Sequence, residues 1–264
     1  MAAVNGECAA LPGLHAQGVS VRAGARELVH QLAVHFAAGE LVALLGRNGS
    51  GKTLTLHTLA GLRPPAAGQV CLDGTPLGRL GRRALALRLG LLPQDLEEAF
   101  VSTAIESVLI GRHPHLALWQ WESAQDERLA REALAAVELS EFASRRTDTL
   151  SGGEQRRVAV AALLVQQPAI FLLDEPTNHL DPHHQLAVLS LFRALADSGR
   201  TVVTTLHDPT LAARFADRVL LLFGDGRWTL GPVASTLNAT TLSSLYLAPM
   251  IELGEGSRRV FVSA

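Results

Sequence analysis

One run of eight residues constrains the fold of this 264-residue chain more than any other feature. It follows the apolar segment at 41–45 (LVALL) and precedes a helix predicted from about Gly51 to Ala60, and it reads Gly46, Arg47, Asn48, Gly49, Ser50, Gly51, Lys52, Thr53. The run matches G-x-x-x-x-G-K-[ST] in full, in the strand–helix context that this pattern requires. Its glycines let backbone N–H groups converge on an anion without interference from Cβ atoms. We therefore predict a phosphate-binding loop.

Lysine use supports this interpretation, because Lys52 is the single lysine of the chain. A flexible stem that ends in a compact ammonium group suits such a loop, whereas the wide planar fork of arginine does not. Lys52 is expected to reach the β and γ phosphates, and Thr53 to offer its hydroxyl to Mg²⁺. The alternative is that arginine elsewhere reflects codon usage and that the loop is an ordinary turn.

Two carboxylates end a second apolar segment, AIFLL at 169–173, where ligands of open α/β sheets gather. Asp174 is a candidate for Mg²⁺ through its water shell, and Glu175 for the base that orients and deprotonates an attacking water. His207 follows the segment TVVTTL at 201–206 and is expected at the same sheet edge, near the γ-phosphate. A histidine at a strand end is also compatible with an ordinary surface position.

A third motif, LSGGE at 150–154, begins a helix predicted to run to about Gln166. Ser151 has the position of an N-cap with Glu154 three residues later, and Gly152 and Gly153 expose backbone amides beside it. The motif predicts a second anion site. A simple capping box is the alternative.

The hydrophobic patterning predicts an α/β fold with a mostly parallel sheet. Residues 19–36 alternate as half-exposed antiparallel strands do, and strand signals are absent between Gln94 and Gln167. Within that insert, 124–139 has helical spacing behind a Ser123–Asp126 capping box. After Pro168, strands at 169–173, 201–206 and 219–223 alternate with helices, one of them beginning at Asp181, and a hairpin around residues 254–256 closes the chain.

Composition excludes several classes of protein. A hydrophobic content of 48% with 18% charged residues excludes disorder, and a net charge of −2 provides no basic excess for nucleic acid. No apolar run reaches the roughly 18 residues of a membrane span, and the start lacks the basic flank of an export signal. Cys8 and Cys71 lie far apart without CxxC spacing, so neither a disulfide nor a zinc site is expected, and a reducing compartment fits best.

Together these segments resemble the nucleotide-binding subunits of ATP-binding cassette (ABC) transporters, over about residues 19–250. GRNGSGKT resembles the Walker A motif of that family, LSGGE its signature and AIFLLDE its Walker B motif. Residues 178–181 resemble its D-loop, His207 its switch histidine, and Gln94 its Q-loop glutamine. The resemblance implies a P-loop NTPase cassette with a mostly parallel core sheet, an antiparallel β subdomain and a helical insert.

By that resemblance the chain is one cassette, with 14–93 and 168–264 forming a RecA-like core and 94–167 a helical subdomain. ATP and Mg²⁺ are the implied cofactors. Lys52, Glu175 and His207 are the implied catalytic residues, and Thr53, Gln94 and Asp174 the metal-binding ones. Two copies are expected to pair head to tail, so that Ser151, Gly152, Gly153 and Asp181 complete the site of the other copy.

A second resemblance, to the ATPases of importers for iron–siderophore complexes, haem and cobalamin, is carried by GRHPHL at 111–116, Trp119, residues 123–126, TLSGGE at 149–154, EPTNHLD at 175–181 and His184-Gln185. This implies permease subunits as partners, indirectly a periplasmic binding protein, no nucleic acid, and a location on the cytoplasmic face of the inner membrane. The alternatives are an importer of another cargo, a soluble cassette ATPase of translation or DNA repair, and a scaffold that binds nucleotide without hydrolysis.

Several positions depart from the pattern or allow a second interpretation. Where the family usually stacks an aromatic residue on adenine, this chain has Arg22 or Ala23. The signature continues with Gln155 and then Arg156, where many members have glutamine, and we expect little to follow from this. His113 and His115 could chelate a metal but are more typical of polar helix ends. Trp119 and Trp121 are expected to pack within the helical insert or to contact the permease.

Overall fold

The computed structural model describes residue 8 and residues 11–95, 102–117, 119–254 and 259–264. Its strands are β1 (Leu14–Ala23), β2 (Arg26–Phe36), β3 (Leu41–Leu45), β4 (Ala67–Leu72), β5 (Thr75–Pro76), β6 (Leu89–Leu92), β7 (Ile170–Leu173), β8 (Thr201–Thr205), β9 (Arg218–Leu222), β10 (Trp228–Pro232), β11 (Met250–Leu253) and β12 (Val260–Ser263). Its α-helices are α1 (Lys52–Leu59), α2 (Arg82–Ala86), α3 (Ala104–Leu109), α4 (Ala124–Ala136), α5 (Gly152–Gln166), α6 (Pro182–Asp197), α7 (Pro209–Phe215), α8 (Val233–Thr236) and α9 (Ala239–Tyr246).

The central sheet has six strands in the order β10-β9-β3-β8-β7-β6. The pairs β9–β3, β3–β8, β8–β7 and β7–β6 are parallel, and only β10 runs antiparallel to its neighbour. Every residue of β3, β7 and β8 is buried, as expected of strands covered on both faces. The carboxyl ends of β3, β6, β7 and β8 therefore meet at one edge, which is where the candidate site lies.

A second sheet of four antiparallel strands has the order β2-β1-β4-β5. Alternate residues of β1 and β2, among them Val19, Val21, Leu32 and Val34, are buried in a core that this sheet shares with α1. The predicted antiparallel strands at 19–36 are thus confirmed, and β1 begins five residues earlier than the pattern indicated. This sheet packs beside the P-loop helix.

The insert between β6 and β7 is helical in its described part. α3, α4 and α5 pack around Val108, Leu134 and Val160, in a hydrophobic cluster that continues into the central sheet at Phe171 and into α6 at Phe192. The predicted Ser123–Asp126 capping box is present. Arg112, buried behind it, donates to Asp126 Oδ1 at 2.8 Å, and these hydrogen bonds from Ser123 and Arg112 lower the pKa of Asp126 to about 2. Residues 96–101 and 118 of the predicted insert lie outside the described residues, and the subdomain bounds 14–93, 94–167 and 168–264 remain predictions.

The chain closes with β11 and β12, which form the predicted antiparallel hairpin. Residues 255–258, including the predicted turn residues Glu255 and Gly256, lie outside the described residues. With the parallel sheet, the antiparallel sheet and the helical insert in place, the fold class predicted from the sequence is confirmed. In the described part of the chain, no helix is both long enough and apolar enough to cross a bilayer.

The expectation for the cysteines is wrong. Cys8 and Cys71 form a disulfide with a Cα–Cα distance of 6.1 Å. The two cysteines are 63 residues apart, and this spacing does not predict the pairing. Cys71 lies in β4, and the topology of the sheet decides which other part of the chain lies next to that strand. The cysteines therefore no longer support the inference of a reducing compartment.

Candidate active site

The P-loop joins β3 to α1, and its backbone conformation requires glycine at several positions. Gly49 and Gly51 have φ angles of 73° and 102°, which side chains rarely tolerate. A Cβ on Gly46 would collide with Ser50 Oγ and with the Leu222 carbonyl, so the loop also requires glycine for space. The N-cap of α1 is Gly51, which has no side chain to cap the helix, and the first turn has no acidic residue, so the N–H groups there are left to an anion.

Lys52 is folded back into this loop. Its ammonium group donates to Gly46 O at 2.8 Å and to Arg47 O at 3.4 Å, and only 6% of the residue is exposed. Burial lowers the pKa of Lys52, and the nearby negative charges of Glu175 and Asp174 oppose that shift. The lysine is thus held between the loop and the two carboxylates, as a phosphate-binding cation would be.

The two carboxylates lie at the end of β7 and are both buried. Thr205 Oγ1 donates to Asp174 Oδ1 and accepts from Glu175 N, each at 2.7 Å, so β8 holds both residues. Asp174 Oδ2 is buried and has no hydrogen-bond partner among the described residues. An unpartnered carboxylate oxygen on the residue that precedes Glu175 suits Mg²⁺ and its water shell.

Glu175 has a left-handed backbone conformation, with φ of 50°. Its carboxylate contacts three polar side chains. Gln94 Nε2 donates to Oε2 at 3.1 Å, Asn178 Nδ2 donates to the same oxygen, and His207 Nε2 lies 2.6 Å from Oε1. Thr53 Oγ1 in turn donates to Gln94 Oε1 at 3.4 Å. Residues that the sequence separates by up to 154 positions are therefore linked in one hydrogen-bonded cluster at the sheet edge.

These groups surround an open cleft of about 470 Å³, which we call the P-loop cleft. Its lining consists of Ala23, Leu28, Asn48, Gly49, Gly51, Lys52, Thr53, Leu54, Gln94, Glu175 and His207. Gly46, Arg47 and Ser50 line a neighbouring cleft on the other side of the loop, which also includes His207. The predicted phosphate-binding and catalytic residues, with Thr53 and Gln94, thus line the clefts around this loop. Asp174 lines neither cleft and lies behind them, near enough for its charge to act on Lys52.

The predicted second anion site is elsewhere. Ser151 caps α5 in a full capping box with Glu154, and Asp181 caps α6. These two residues line a separate cleft of about 470 Å³, which we call the signature cleft, together with Gly152, Gly153, Glu154, Arg157, His179, Leu180 and His184. The P-loop cleft and the signature cleft share no lining residue. A single copy of the chain therefore does not unite the two anion sites.

Sequence reasoning missed the part that Arg156 plays. This buried residue of α5 donates to the carbonyls of Pro93 and Asp174, to Glu175 O at 2.9 Å and to Gln94 O at 3.2 Å. Burial lowers its pKa to about 10. Arg156 thus connects the signature helix to the strand ends that carry Gln94 and Glu175. The sequence signal that could have indicated this role is the arginine itself, at a signature position where many family members have glutamine.

The structure also gives the surroundings of the residues expected near adenine and of the histidines and tryptophans in the helical insert. Ala23 lines the P-loop cleft, whereas Arg22 is about half exposed and pairs with Glu27 at 3.8 Å. His113 lies 3.8 Å from Glu122, and His115 Nε2 lies 2.8 Å from Gln166 O, so the two imidazoles have separate partners. The expected packing of the tryptophans is absent, because Trp119 is 89% and Trp121 85% exposed.

The arrangement of P-loop, buried carboxylates and signature helix can be compared with known proteins. The family model described as ABC transporter matches residues 29–178. Hemin import ATP-binding proteins of Thermobifida fusca and Gloeobacter violaceus are 38% and 42% identical to this chain, over 88% and 79% of it and 81% and 78% of their own lengths. The chain belongs to the ABC transporter family. The family predicted from the sequence is thereby confirmed, and with it ATP as the nucleotide and ATP hydrolysis as the reaction.

Solved structures of ABC proteins have the same fold. A metal-chelate type ABC transporter in an inward-facing conformation aligns with a TM-score of 0.83 at 27% identity, over 96% of this chain and 98% of the other. A dimeric ATP-binding cassette in a post-hydrolysis state, bound to ADP and Pi, aligns with a TM-score of 0.72 at 28% identity, over 83% of this chain and 98% of the other.

Proposed function

We propose that this ABC ATPase powers an importer of haem or a similar iron-chelate cargo, through a separate membrane permease. The observation that carries this proposal is that the hydrogen-bonded P-loop cleft occurs in a chain whose relatives include several hemin import ATP-binding proteins. The metal-chelate type transporter with the same fold supports the same cargo class. Iron–siderophore complexes and cobalamin belong to this class by the resemblance noted in the sequence.

The residues around the P-loop cleft have complementary chemical roles in this proposal. The loop amides of 46–53 and Lys52 hold the β and γ phosphates. Thr53, Gln94 and Asp174 would hold Mg²⁺, which when bound would neutralise charge on the phosphate oxygens. Glu175 accepts the proton of the attacking water. His207, whose Nε2 lies 2.6 Å from the Glu175 carboxylate, orients that carboxylate and contacts the γ-phosphate.

A second copy of the chain completes each site. The signature cleft has Ser151, Gly152, Gly153 and Asp181 exposed or half-exposed on it, and the positive end of the α5 dipole there favours an anion. A head-to-tail homodimer brings the signature cleft of one copy onto the P-loop cleft of the other. The dimeric cassette bound to ADP and Pi supports this mode of assembly.

The permease is proposed to dock on the helical insert. Trp119 and Trp121 expose their indole rings there, and exposed aromatic side chains are typical of protein interfaces. Docking on a membrane partner places the chain on the cytoplasmic face of the inner membrane, where ATP is available, with a periplasmic binding protein delivering cargo to the opposite side. We propose no role for nucleic acid, because the net charge of −2 provides no basic surplus.

The test is co-purification with the permease encoded nearest to this chain, followed by uptake assays in proteoliposomes. We expect ATP-dependent haem uptake. We expect Trp119→Ala with Trp121→Ala to abolish permease capture without loss of basal ATPase activity, and the control Leu247→Ala, an exposed apolar residue outside the insert, to have no effect. ATP hydrolysis without capture of any permease would refute the importer and favour a soluble cassette ATPase. Uptake of a different compound would refute only the cargo.

A further inference from the structure

Outside the P-loop site, three side chains converge where the helical insert meets the core. His183 and His184 are in the first turn of α6, and Glu138 follows α4. In the described part of the chain, this is the group of His, Cys, Asp and Glu residues whose possible ligand atoms lie within 4.8 Å of one another. The ligands thus come from two elements that are separate in sequence and adjacent in space.

The distances within this group suit an ion better than hydrogen bonds. Glu138 Oε1 lies 3.5 Å from His183 Nε2, and Oε2 lies 3.5 Å from His184 Nε2. Hydrogen bonds between such atoms are about 2.7 to 3.2 Å long. Two ligand atoms that are each about 2.1 Å from a tetrahedral ion are about 3.4 Å apart. Each imidazole nitrogen therefore lies at about this separation from a Glu138 oxygen, and one ligand atom from each of the three residues lies within 4.8 Å of the other two.

His184 is oriented for ligation by a residue behind it. Its Nδ1 lies 2.9 Å from Asp181 Oδ2, while Asp181 Oδ1 accepts the backbone N–H of the same histidine at 3.0 Å. A carboxylate that accepts the Nδ1 proton leaves Nε2 as the lone-pair nitrogen and fixes the plane of the ring. This carboxylate–imidazole arrangement is the usual second layer of a histidine metal ligand.

The other two residues of the group are a glutamate on a fixed turn and a histidine that is open to solvent. Arg157 Nη1 donates to Val137 O at 2.9 Å and to Glu138 O at 3.4 Å, which fastens the turn that presents the carboxylate. The His183 side chain is 73% exposed, so water has access to a fourth ligand position. The ring centroids of His183 and His184 are 5.2 Å apart at an interplanar angle of 74°, and the rings do not block each other.

We propose that Glu138, His183 and His184 form a surface site for a divalent transition-metal ion, of which Zn²⁺ is the representative. Two imidazoles and one carboxylate match the ligand preference of Zn²⁺ and its neighbours, whereas Mg²⁺ and Ca²⁺ prefer oxygen ligands alone. The bound ion ties the end of α4 to the start of α6 and immobilises Asp181 through His184. Nucleotide is not required for this site.

The test is Zn²⁺ titration of the full, tag-free, chelator-washed chain without nucleotide, by calorimetry and by competition with a chromophoric chelator. We expect one ion per chain, with at least tenfold weaker binding in His183→Gln and His184→Gln. Asp181→Asn preserves a capping residue but places an amide against Nδ1, and we expect a loss of about 10- to 100-fold. His113→Gln is the matched control, because it removes another histidine that faces a glutamate, and its affinity should equal that of the wild type.

Thermal unfolding provides a second measurement on the same proteins. At a Zn²⁺ concentration about 100-fold above the dissociation constant, the wild type should melt about 5 to 10 °C higher than without metal, and the His183→Gln/His184→Gln double variant should not respond. If the double variant melts lower than the wild type without metal, Glu138→Gln replaces it in the test. Equal Zn²⁺ affinity in the wild type and the double variant, or an equal loss in His113→Gln, would overturn the proposal.

Discussion

The P-loop cleft and the signature cleft are both built at the N-terminus of a helix, yet their side chains are engaged differently. Lys52 and Glu175 are each only 6% exposed, and both are held by several hydrogen bonds within the chain. Ser151 and Asp181 are exposed, and their oxygens cap their own helices. This difference is what the proposed dimer requires, in which the reacting groups are preorganised in one copy and the signature groups are presented at the surface to another.

The first experiment tests the P-loop side of this comparison. Glu175→Gln preserves size and hydrogen bonding but removes the proton acceptor, so we expect kcat to fall by about 10²- to 10⁴-fold while ATP binding persists. The variant should accumulate as an ATP-bound dimer in size-exclusion chromatography. Glu106→Gln, in a capping-box residue of α3 that lines neither cleft, serves as the control and should retain wild-type turnover. Wild-type turnover in Glu175→Gln would remove this residue from its proposed role.

The second experiment tests the signature side. Ser151→Arg projects bulk and charge from the signature cleft, so we expect dimer closure and most hydrolysis to be lost while the P-loop of each copy still binds ATP. Lys52→Ala should be inactive because it lacks the phosphate-binding cation. In mixed dimers one site has both lesions and the other has neither, so an equal mixture should recover about a quarter of wild-type activity by random pairing. The absence of any recovery would contradict completion of the site by a second copy.

A third experiment tests the link between the two clefts. Arg156→Lys preserves the cation but loses the fork that reaches the carbonyls of Pro93, Gln94, Asp174 and Glu175. We expect a decrease of about 2 to 3 kcal/mol in the free energy of unfolding, since buried carbonyls lose their donors, and a kcat lower by roughly tenfold. Arg131→Lys, in an exposed arginine of α4 that pairs with Glu127, is the control and should change neither quantity by much. Identical denaturation midpoints for Arg156→Lys and Arg131→Lys would refute this linking role.

The smallest expected effect concerns adenine at the rim of the P-loop cleft. Because Ala23 lines the cleft and Arg22 is paired with Glu27, we expect Ala23→Tyr to lower the KM for ATP about fivefold through stacking, and Arg22→Ala to leave it unchanged. A several-fold rise in KM for Arg22→Ala at constant kcat would instead assign the stacking to the guanidinium. If KM responds to neither substitution, adenine binds elsewhere.

Features carried by contiguous residues were predictable from the sequence. The P-loop spacing, the apolar strand at 41–45, the Ser123–Asp126 and Ser151–Glu154 capping boxes and the N-cap at Asp181 all depend on backbone within a few residues. Local hydrogen bonds and local conformational preference are sufficient to specify them. Because parallel strands bring their carboxyl ends to one edge, the meeting of Glu175 with His207 could also be anticipated.

Other features were decided by the tertiary structure alone. The Cys8–Cys71 disulfide, the contacts of Arg156 with strand ends, the exposure of Trp119 and Trp121, and the approach of Glu138 to His183 join or separate residues that are distant in sequence. No periodicity or spacing encodes such contacts, because they depend on which elements pack together and at what angle. The sequence by itself therefore determined the nucleotide chemistry of this chain, whereas packing decided which side chains connect its two clefts and which remain at the surface.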